Sequence, residues 1–600
     1  MNVPPEDKEV GRDNYFEALG VNRRDFMRNV IAAGAVSGVG LGAMYFGYEK
    51  ISNPVRVGVI GTGDQGCVLM SSINPEYLQV TAIADIRPLN IHRAFHGDWA
   101  SDGALAARRG LLSVYGWKTE DEARKHVKVY DASNGGYEAL IADPNVEAVI
   151  IALPLHLHAI STCQALKAGK DVLVEKLMAH NVAQCKVMGQ LAHEKNLLLA
   201  TGHQRHYSIL YDNAVNLLEW GLLGKVHHIR AQWHRGNLPG RDSWKQPMPG
   251  GELMLGENRA RNIIQEQLDR FKREHSRERD PYRAENLARR IAQWEAWNRD
   301  AGVDAAAFGY QDMKLPDGRV RTALEELVRW RLWDRTSGGL MAELGSHQLD
   351  AAGIFISALR RDGKKAHPLT VHTVGGRHVF PNDREADDHV YAMYEFAGPH
   401  YEPGFDVGFR DPFLNYPDPD RGLLGYEDDP NKRIVVTYSS INGNGFGGYG
   451  EIVLGTKGTM ILEREAEVML YAGSDTTSRV AVREDAGGPT MDTQESGPAA
   501  AAAKAAESMG PISRGYTEQL EHWAWCIRNR EPDNQPRCDP EVALGDAVIA
   551  LATNVAMKKS WDGDAPGYLK FDENWYDLNH DATPDGSSVQ SEYDSLVREA

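Results

Sequence analysis

The sequence predicts an α/β protein in which a doubly wound parallel sheet is followed by an α+β domain with a large, mostly antiparallel sheet. Two observations predict this fold class. Short apolar runs alternate with helix-length segments from residue 55 to residue 202, which is typical of a parallel sheet with helices on both faces. After Gly202 polar and apolar residues alternate within the predicted strands, as in a sheet with one polar face.

Six apolar runs are interpreted as the buried strands of the first domain. The segments between them are long enough for helices, so each strand can return parallel to the one before it. The runs are VRVGVI (55–60), LQVTAIAD (78–85), HVKVYDA (126–132), VEAVIIAL (146–153), DVLVEK (171–176) and NLLLATG (196–202).

The second domain begins with a predicted amphipathic helix over 208–225, which stops at a glycine. The next residues, VHHIRAQWH (226–234), alternate between an apolar and a polar face and predict a strand. Further strands are predicted for RIVVTYSS (433–440) and for a hairpin over 451–463. These elements predict a mixed or antiparallel sheet with helices on one side.

The predicted organisation has four parts, and the second domain carries three additions. The parts are a leader or anchor (1–50), a dinucleotide-type parallel-sheet domain (54–178), the α+β domain (179–560) and an acidic tail (561–600) that wraps the surface. The additions are a charge-rich, solvated helical insertion (about 250–320), a loop rich in Pro, Gly and Asp (about 398–432) and a low-complexity linker (about 484–512).

The chain is acidic and poor in cysteine. Its 600 residues include 66 Lys+Arg against 84 Asp+Glu, for a net charge of −18. That balance argues against nucleic acid as a partner. The five cysteines are odd in number and form no CxxC pair, so the sequence predicts neither a structural zinc site nor a disulfide framework.

The N-terminal segment resembles a twin-arginine export signal. Residues 22–29 read NRRDFMRN, and a weakly hydrophobic run follows from Val30 to Gly47. Such a signal implies the twin-arginine export machinery as a partner, transport in the folded state and a periplasmic or other extracytoplasmic location. The alternative is an uncleaved membrane anchor, although five glycines make the run weak for a permanent span.

A glycine-rich turn, GTGDQG, directly follows the first predicted strand and opens the first helix. In this position Gly61 permits a tight turn, Gly63 lets the backbone approach a pyrophosphate and Gly66 allows the helix to pack on the strand. The helix N-terminus offers free N–H groups to the anion. The intervening predicted contacts are Thr62, Asp64 and Gln65.

Cofactor choice is predicted from the end of the second strand. Asp85 can accept hydrogen bonds from ribose hydroxyls and repel a 2′-phosphate, which favours NAD. Arg87 leaves NADP as the alternative, because a nearby arginine can accommodate the phosphate. We expect the cofactor to be tightly bound, since a free nicotinamide pool is not expected outside the cytoplasm.

Five motifs in order resemble the glucose–fructose oxidoreductase / inositol dehydrogenase / MocA (Gfo/Idh/MocA) family over about residues 55–560. They are VGVIGTGDQG, AD (84–85), ALPLHLHA (152–159), VEKL (174–177) and GGLMAELGSHQLD (338–350). The resemblance implies that Leu153, Pro154 and His158 border the nicotinamide, and that Glu175 and Lys176 form the motif whose lysine reaches the reacting hydroxyl. Leu177 stands where the family usually has proline. The family's Asp-x-x-x-His pair corresponds to Glu343 and His347.

The same residues suit dehydrogenation chemistry. A group must take the hydroxyl proton as the C–H bond breaks, and imidazole titrates near neutrality, so His347 is the predicted base. Glu343 stands four residues earlier and would share its helical face, orienting or charging the histidine. Lys176 ends a parallel strand, where ligands bind such sheets, and its ammonium can stabilise a developing alkoxide.

Substrate contacts are predicted for Arg205, His234 and Arg235. Arg205 lies in HQRH (203–206) at the domain junction, and the other two lie in WHRGN (233–237) at a strand end. Both segments also fit a structural role. His156 and His158 have no Asp or Cys partner nearby in the sequence, so no metal is predicted.

The sequence thus predicts an NAD(P)-dependent oxidoreductase that acts on a sugar, polyol or glycoside, and we expect a homo-oligomer. Two alternatives stay open. One is an NAD-dependent glycosidase that oxidises C3 transiently, eliminates the aglycone and reduces again, as some relatives do. The other is a non-catalytic protein that binds the cofactor.

Overall fold

The computed structural model describes residues 3–20, 41–253, 260–315, 318–360, 362–401, 432–485, 488–494, 514–561 and 566–599. Two large sheets organise these residues, one of six strands and one of eight. The fold class predicted from the sequence is confirmed.

All six predicted strands of the first domain form one parallel sheet, in the order β3-β2-β1-β4-β5-β6. Its two central strands are almost entirely apolar and buried, with Arg56 as the exposed exception, because helices cover both faces. The strands are β1 (Val55–Ile60), β2 (Leu78–Ala84), β3 (Lys128–Tyr130), β4 (Ala148–Ile151), β5 (Asp171–Val174) and β6 (Leu199–Thr201).

The helices of the N-terminal segment and of this first domain are short to medium in length. In chain order they are α1 (Pro5–Ala18), α2 (Leu41–Phe46), α3 (Asp64–Ser72), α4 (Pro88–His96), α5 (Asp102–Ala107), α6 (Leu111–Tyr115), α7 (Glu120–Ala123), α8 (Gly136–Ile141), α9 (His158–Lys167) and α10 (Val182–Lys195).

The predicted domain boundary at residue 178 is too early. Strand β6 pairs with β5 in the parallel register Val172–Leu199 to Val174–Thr201. Helix α10 connects these two strands, so the first domain continues past residue 200. Two neighbouring parallel strands need a long crossover connection, and α10 is the connection between β5 and β6, so β6 still belongs to the first domain.

The second sheet has the order β17-β16-β15-β7-β14-β13-β12-β20 and is antiparallel except where β7 and β14 run parallel. The predicted strands and the hairpin are therefore confirmed. Its strands are β7 (Val226–His234), β12 (Pro368–Gly376), β13 (His389–Ala397), β14 (Arg433–Ile441), β15 (Tyr449–Gly455), β16 (Gly458–Glu463), β17 (Glu467–Ala472) and β20 (Tyr568–Lys570).

Three two-stranded ribbons accompany the large sheet: β8 (Glu252–Leu253) with β9 (Ala260–Arg261), β10 (Met313–Lys314) with β11 (Val320–Arg321), and β18 (Arg479–Asp485) with β19 (Gly488–Gln494). The last ribbon corrects the predicted linker over 484–512, because its first residues pair as a strand. Residues 495–513 of that linker and residues 402–431 of the predicted loop lie outside the described residues.

The helices of the second domain pack partly on its sheet and partly on the first domain. They are α11 (Ile209–Glu219), α12 (Ile263–His275), α13 (Pro281–Arg299), α14 (Ala323–Val328), α15 (Ser346–Ala358), α16 (Tyr516–Arg528), α17 (Pro540–Trp561) and α18 (Val589–Tyr593). Helix α17 has the length and hydropathy of a membrane span, but 78% of that stretch is buried inside the protein. Helix α17 is therefore a helix of the protein core.

The insertion over 250–320 is helical, as predicted, but it is not simply solvated. Helices α12 and α13 pack against each other, and α13 packs on α4 of the first domain. At the end of α13, Asp300 is fully buried. The charged residues therefore lie on the outer faces of these helices. One end of the insertion contacts the first domain.

The tail contributes to the fold of both domains. Strand β20 pairs with β12 and forms one edge of the eight-stranded sheet. The ammonium of Lys186 on α10 donates to the carbonyl oxygens of Asn574, His580 and Ala582. The tail thus ties the two domains together. The five cysteines are buried and unpaired.

The twin-arginine motif and residues 30–40 lie outside the described residues, but the chain on both sides of them packs on the protein. Helix α1 packs on β17 and β18 and buries Tyr15 and Phe16. After the motif, Tyr48 is buried and donates to the Glu521 carboxylate at 2.6 Å. The N-terminal helix is therefore part of the folded body.

We predict that Asn14→Ala destabilises the protein by about 1–3 kcal/mol, measured by denaturant unfolding. Asn14 is buried, donates to the carbonyl oxygens of Leu470 and Ser478 at 3.0 and 3.2 Å, and accepts from the Val480 N–H at 2.9 Å. The control is Glu17→Ala, since Glu17 is exposed on the same helix. Equal stability of the two variants would mean that α1 does not dock in solution.

Candidate active site

A cavity of about 580 Å³ lies at the carboxyl ends of the parallel strands, where the second domain covers them. This is the position at which open α/β sheets bind ligands, and the volume lies in the usual range of ligand pockets, about 300–1,000 Å³. The predicted site residues that line it are Gly61, Gly63, Asp64, Gln65, Asp85, Arg87, Leu153, Pro154, His158, Glu175, Lys176, Arg235, Glu343 and His347.

The glycine turn has the geometry predicted from its spacing. Gly61 has a φ of +85°, and a Cβ there would lie 2.5 Å from the Ala152 carbonyl oxygen. A Cβ on Gly66 would lie 2.0 Å from the carbonyl oxygen of Gly61. Gly63, by contrast, has only open space within 3.9 Å of that position. Two glycines therefore allow close packing, and the third leaves the backbone accessible at the start of α3.

Asp85 sits at the end of β2 and lines the cavity. Its carboxylate accepts from the Thr62 N–H at 2.8 Å, from the Arg87 N–H at 2.9 Å and from the Asn90 amide at 3.0 Å. Thr62 itself does not line the cavity and is buried behind the turn. The acidic group is thus held in place by the loop that follows β1 and by the residues that follow β2.

Glu175 and Asp64 are anchored by neighbouring donors. Gln65 donates its amide to Glu175 at 2.8 Å, and burial raises the pKa of Glu175. For Asp64, burial acts in the same direction, but the Arg93 guanidinium at 2.6 Å outweighs it and lowers the pKa. The cavity therefore presents one firmly ionised carboxylate at the start of α3 and a more easily protonated one at the end of β5.

His158 lines the cavity but is committed to the backbone. Its Nδ1 lies 2.8 Å from the Leu177 carbonyl oxygen and its Nε2 lies 2.9 Å from the Leu153 carbonyl oxygen. The ring thereby ties the loop after β4 to the loop after β5. Its observed role is to shape the wall, and contact with the nicotinamide stays a prediction.

Lys176 projects from the end of β5 towards the second domain. Its Nζ donates to the carbonyl oxygens of Ala342 and Glu343 at 3.0 and 2.7 Å. Burial lowers its pKa, and the Glu343 carboxylate acts in the opposite direction. The Lys176–Leu177 peptide bond is cis. One of the three ammonium protons has no protein acceptor among the contacts described, so it is available to a ligand.

Glu343 lies in the cavity but does not orient His347, which corrects the predicted pairing. Its carboxylate accepts from the Arg331 guanidinium at 2.9 Å. Burial would raise its pKa, but Arg331 and Lys176 outweigh burial and lower it. The backbone over Met341–Gly345 makes a π-helical turn. Because such a turn holds more residues than an α-helical one, a spacing of four no longer stacks the two side chains.

His347 stands at the start of α15 with its ring between two aromatic neighbours. The ring centroid lies 5.7 Å from that of Trp233 and 6.2 Å from that of His203. Burial, assisted by the Lys176 charge, lowers its pKa well below 6.5. Its Nδ1 is buried and has no hydrogen-bond partner in the described part of the chain. The imidazole is therefore neutral near pH 7.

Two predicted substrate contacts are wrong. Arg205 is 1% exposed and binds the carboxylates of Glu465 and Glu451 at 2.8 and 3.1 Å. It also donates to the carbonyl oxygen of His347. A guanidinium needs several acceptors once it leaves water, and the buried carboxylates behind α15 supply them. Arg205 therefore supports the site from behind.

The second wrong contact is His234, and the reason is the alternation of side chains along a strand. His234 binds the Phe446 carbonyl oxygen at 3.0 Å and the Ser439 hydroxyl at 2.9 Å, and it does not line the cavity. Successive residues of a strand face opposite sides, so its neighbour Trp233 lines the cavity instead. Arg235 does line the cavity, as predicted, and its guanidinium carbon lies 5.5 Å from the Trp233 ring centroid.

Several residues that the sequence did not single out also line the cavity. Most of them come from the insertion and the residues after it, where no motif marks them. They are Arg93, Trp233, Phe308, Tyr310, Trp330, Arg331 and Tyr516. Only Trp233 carried a signal, because it lies on the apolar face of a strand that leads into WHRGN.

A buried polar cluster lies beyond His203 and was not predicted. Asp350 and Asp546 are both buried, and the Lys365 ammonium binds each of them, at 2.8 and 2.5 Å. His203 lies 3.4 Å from Asp350. These side chains could group around a metal ion, but the lysine already supplies the cation between the two carboxylates.

Residues 55–203 match the protein-family model GFO_IDH_MocA, described as an oxidoreductase family with an NAD-binding Rossmann fold. An uncharacterised oxidoreductase of Schizosaccharomyces pombe is 33% identical over 162 residues, which are 26% of this chain and 42% of that protein. A dTDP-3,4-didehydro-2,6-dideoxy-alpha-D-glucose 3-reductase of Streptomyces violaceoruber is 31% identical over 142 residues, 23% of this chain and 41% of that protein. The chain thus spans less than half the length of these curated relatives.

Among solved structures, the aldose-aldose oxidoreductase from Caulobacter crescentus complexed with glycerol is 15% identical, with coverage of 86% of this chain and 100% of that chain and a TM-score of 0.45. The family match ends two residues after β6, where the parallel sheet also ends. It contains the glycine turn, Asp85 and the Lys176 loop. Residues 55–203 thus match the NAD-binding Rossmann domain of that oxidoreductase family, and their parallel sheet agrees with the match.

Proposed function

We propose that the protein is a nicotinamide-dependent oxidoreductase that acts on a CH–OH group of a sugar, polyol or glycoside and keeps its cofactor tightly bound. One observation carries the proposal: Lys176 and His347, from different domains, line the same cavity as the glycine turn. The similarity to a named sugar reductase supports the substrate class.

The residues present fit a dinucleotide. The accessible backbone at Gly63 and the start of α3 suit a pyrophosphate, and Asp85 suits ribose hydroxyls. When bound, the nicotinamide accepts a hydride from the carbinol carbon, or donates one in the reverse direction. The end of β5 then brings Lys176 to the reacting side of the cavity.

Two side chains would handle the substrate hydroxyl. Lys176 has two N–H groups fixed on carbonyl oxygens, so its third can point at the substrate oxygen and stabilise developing negative charge. His347 is neutral because burial lowers its pKa, so it has a lone pair that can take the hydroxyl proton. The two residues thus divide charge stabilisation and proton transfer between them.

Other residues hold this pair in place. Glu343 balances the Arg331 charge and lies near Lys176 without touching His347. Arg205 donates to the backbone carbonyl of His347 from the buried side. Their contribution is positional, because neither is placed to exchange a proton with the substrate hydroxyl.

Tight retention of the cofactor is supported by the cover over the cavity. Phe308 and Tyr310 line it from the insertion, and Tyr516 lines it from α16. A cofactor that stays bound must be regenerated in place. That restricts the chemistry to oxidation of one sugar coupled to reduction of another, or to a redox-neutral reaction such as glycoside cleavage through transient C3 oxidation.

We also propose export through the twin arginines in the folded state. The support is the order of NRRDFMRN and the Gly/Ala-rich run. A chain that folds around a nicotinamide cofactor before transport would need a route of this kind.

We predict that Lys176→Ala and His347→Ala each lower kcat by about 10²–10⁴-fold on a substrate found by a sugar and glycoside screen. Both variants should retain bound cofactor, measured by its release on denaturation. The control is His227→Ala, since His227 is exposed on β7. Near-normal turnover of both variants would refute the assignment. A free aglycone with no net change in cofactor redox state would identify a glycosidase instead.

The plot of kcat/KM for oxidation against pH should be bell-shaped, with both limbs at lower pH than an ordinary histidine and an ordinary lysine would give. Activity rises as His347 loses its proton, and its lowered pKa puts that limb below pH 6.5. Activity falls as Lys176 loses its proton, and its lowered pKa puts that limb below pH 10.5. Lys176→Arg should move the alkaline limb to higher pH, because arginine stays charged. Limbs at the ordinary histidine and lysine values would contradict this mechanism.

Replacing Arg23 and Arg24 by lysine should leave the protein in the cytoplasm, measured by cell fractionation and immunoblotting. The positive charge is unchanged, so the test isolates recognition of the arginine pair. Arg28→Lys, in the same segment, is the matched control and should still be exported. Unchanged extracytoplasmic recovery of the double variant would rule out this route.

A further inference from the structure

One end of the helical insertion reaches across the cavity at the side of the parallel sheet that holds Asp85. Phe308 and Tyr310 line the cavity there. A Cβ placed on Gly136, which follows β3, would lie 4.0 Å from Cε1 of Phe308. The insertion therefore spans the carboxyl ends of β2 and β3, where Rossmann domains hold the adenosine ribose.

At the same end, Asp300 makes a buried ion pair with Arg87. Its Oδ2 accepts from Arg87 Nε at 2.9 Å, and its Oδ1 accepts from the Leu89 N–H at 3.0 Å. The Asp300 side chain is 0% exposed and that of Arg87 is 10% exposed. The pair thus joins the end of α13 to the start of α4 and fixes the arginine from the side of the insertion.

The pair changes what Arg87 can do for a ligand. An arginine after β2 can accommodate a 2′-phosphate, and it does so best as a fork of two parallel N–H groups with unbalanced positive charge. Here Nε is taken by Asp300, and Nη2 has no hydrogen-bond partner in the described part of the chain. Asp300 therefore occupies the Nε side of the guanidinium, so the side-on Nε–Nη2 fork is not free, and of the two terminal nitrogens Nη2 is buried.

The local charge balance also disfavours a dianion. Asp85, Arg87 and Asp300 act on one another here, which is one cation against two carboxylates. Glu138 adds a third carboxylate to the lining near Phe308. Burial raises the pKa of Asp300, while Arg87 and the Leu89 N–H favour its charged form.

We propose that Asp300, supplied by the insertion, makes this site select NAD over NADP by occupying and neutralising Arg87. The inference rests on the proposed function, because it concerns the cofactor of that same site. A neutral 2′-hydroxyl can donate to the Asp85 carboxylate and accept from a single N–H of Arg87. A 2′-phosphate would instead meet two carboxylates and an arginine whose charge Asp300 already balances.

The test is direct binding of NADH and NADPH to the purified full-length protein after removal of endogenous nucleotide, measured by titration calorimetry. Asp300→Asn keeps the shape and the acceptor for Leu89 but removes the charge. It should tighten NADPH binding by about tenfold or more while NADH affinity changes little. Asp269→Asn is the matched control, because it removes the same charge from an exposed position on α12 of the same insertion.

A second variant identifies the group that receives the phosphate. In the Asp300→Asn protein, Arg87→Gln should abolish the gain in NADPH affinity. In the wild-type protein, Arg87→Gln should not weaken NADPH binding more than NADH binding, because Asp300 already occupies the arginine. A selective loss of NADPH binding in that single variant would overturn the proposal without relying on the folding of Asp300→Asn.

The outcomes separate this inference from the function on which it rests. Wild-type protein that binds neither nucleotide would refute the proposed function, and this inference with it. Wild-type protein that prefers NADH, with the same preference in Asp300→Asn, would refute only the role of Asp300. A gain in NADPH affinity that also occurs in Asp269→Asn would show a general charge effect and would refute it as well.

Discussion

The buried guanidinium of Arg205 connects the parts of the molecule that form the site. It follows β6 of the first domain and binds Glu451 on β15, Glu465 after β16 and the carbonyl oxygen of His347. Burial of so many charges is costly unless each is paired, and here burial raises the pKa of Glu451 to about 7 although Arg205 opposes it. The network therefore holds together only in one arrangement of the two domains, which is the one that brings His347 to the cavity.

Strain in the same network supports this view. Glu465 has a φ of +56°, a left-handed conformation that costs a non-glycine residue about 1–2 kcal/mol. The carboxylate is nevertheless kept there by ion pairs with Arg205 and Arg514. The protein thus accepts a local penalty so that an acidic side chain can reach the arginine. Because the arginine also holds the His347 backbone, the network links the sheet of the second domain to the reacting end of the cavity.

The cavity itself is a shared product of three parts of the chain. The first domain supplies the glycine turn, Asp85 and Lys176, the second supplies Arg235 and His347, and the insertion supplies Phe308 and Tyr310. In the proposed function each part has a different role: the first holds the dinucleotide, the second handles the substrate hydroxyl, and the third lies over the adenosine end. Charged side chains that face the cavity form ion pairs, such as Arg331 with Glu343 and Arg87 with Asp300. These pairs reduce the net charge that a ligand meets.

The sequence by itself determined the two sheets, because strands are encoded in local periodicity. It also determined the half of the site that lies at the ends of the parallel strands, because the turn there needs backbone conformations that glycine adopts most easily. The turn at Gly61, the position of Asp85 and the strand end at Lys176 could be predicted for that reason. Only the tertiary structure decided what long side chains do once they are buried. Arg205 turned to carboxylates that are distant in sequence, Glu343 paired with Arg331 across a π-helical turn, and Asp300 crossed from the insertion to Arg87. These partners lie 12 to 260 residues apart. No local pattern encodes such a contact, because a charge that loses water on burial must find its partner wherever the fold places one.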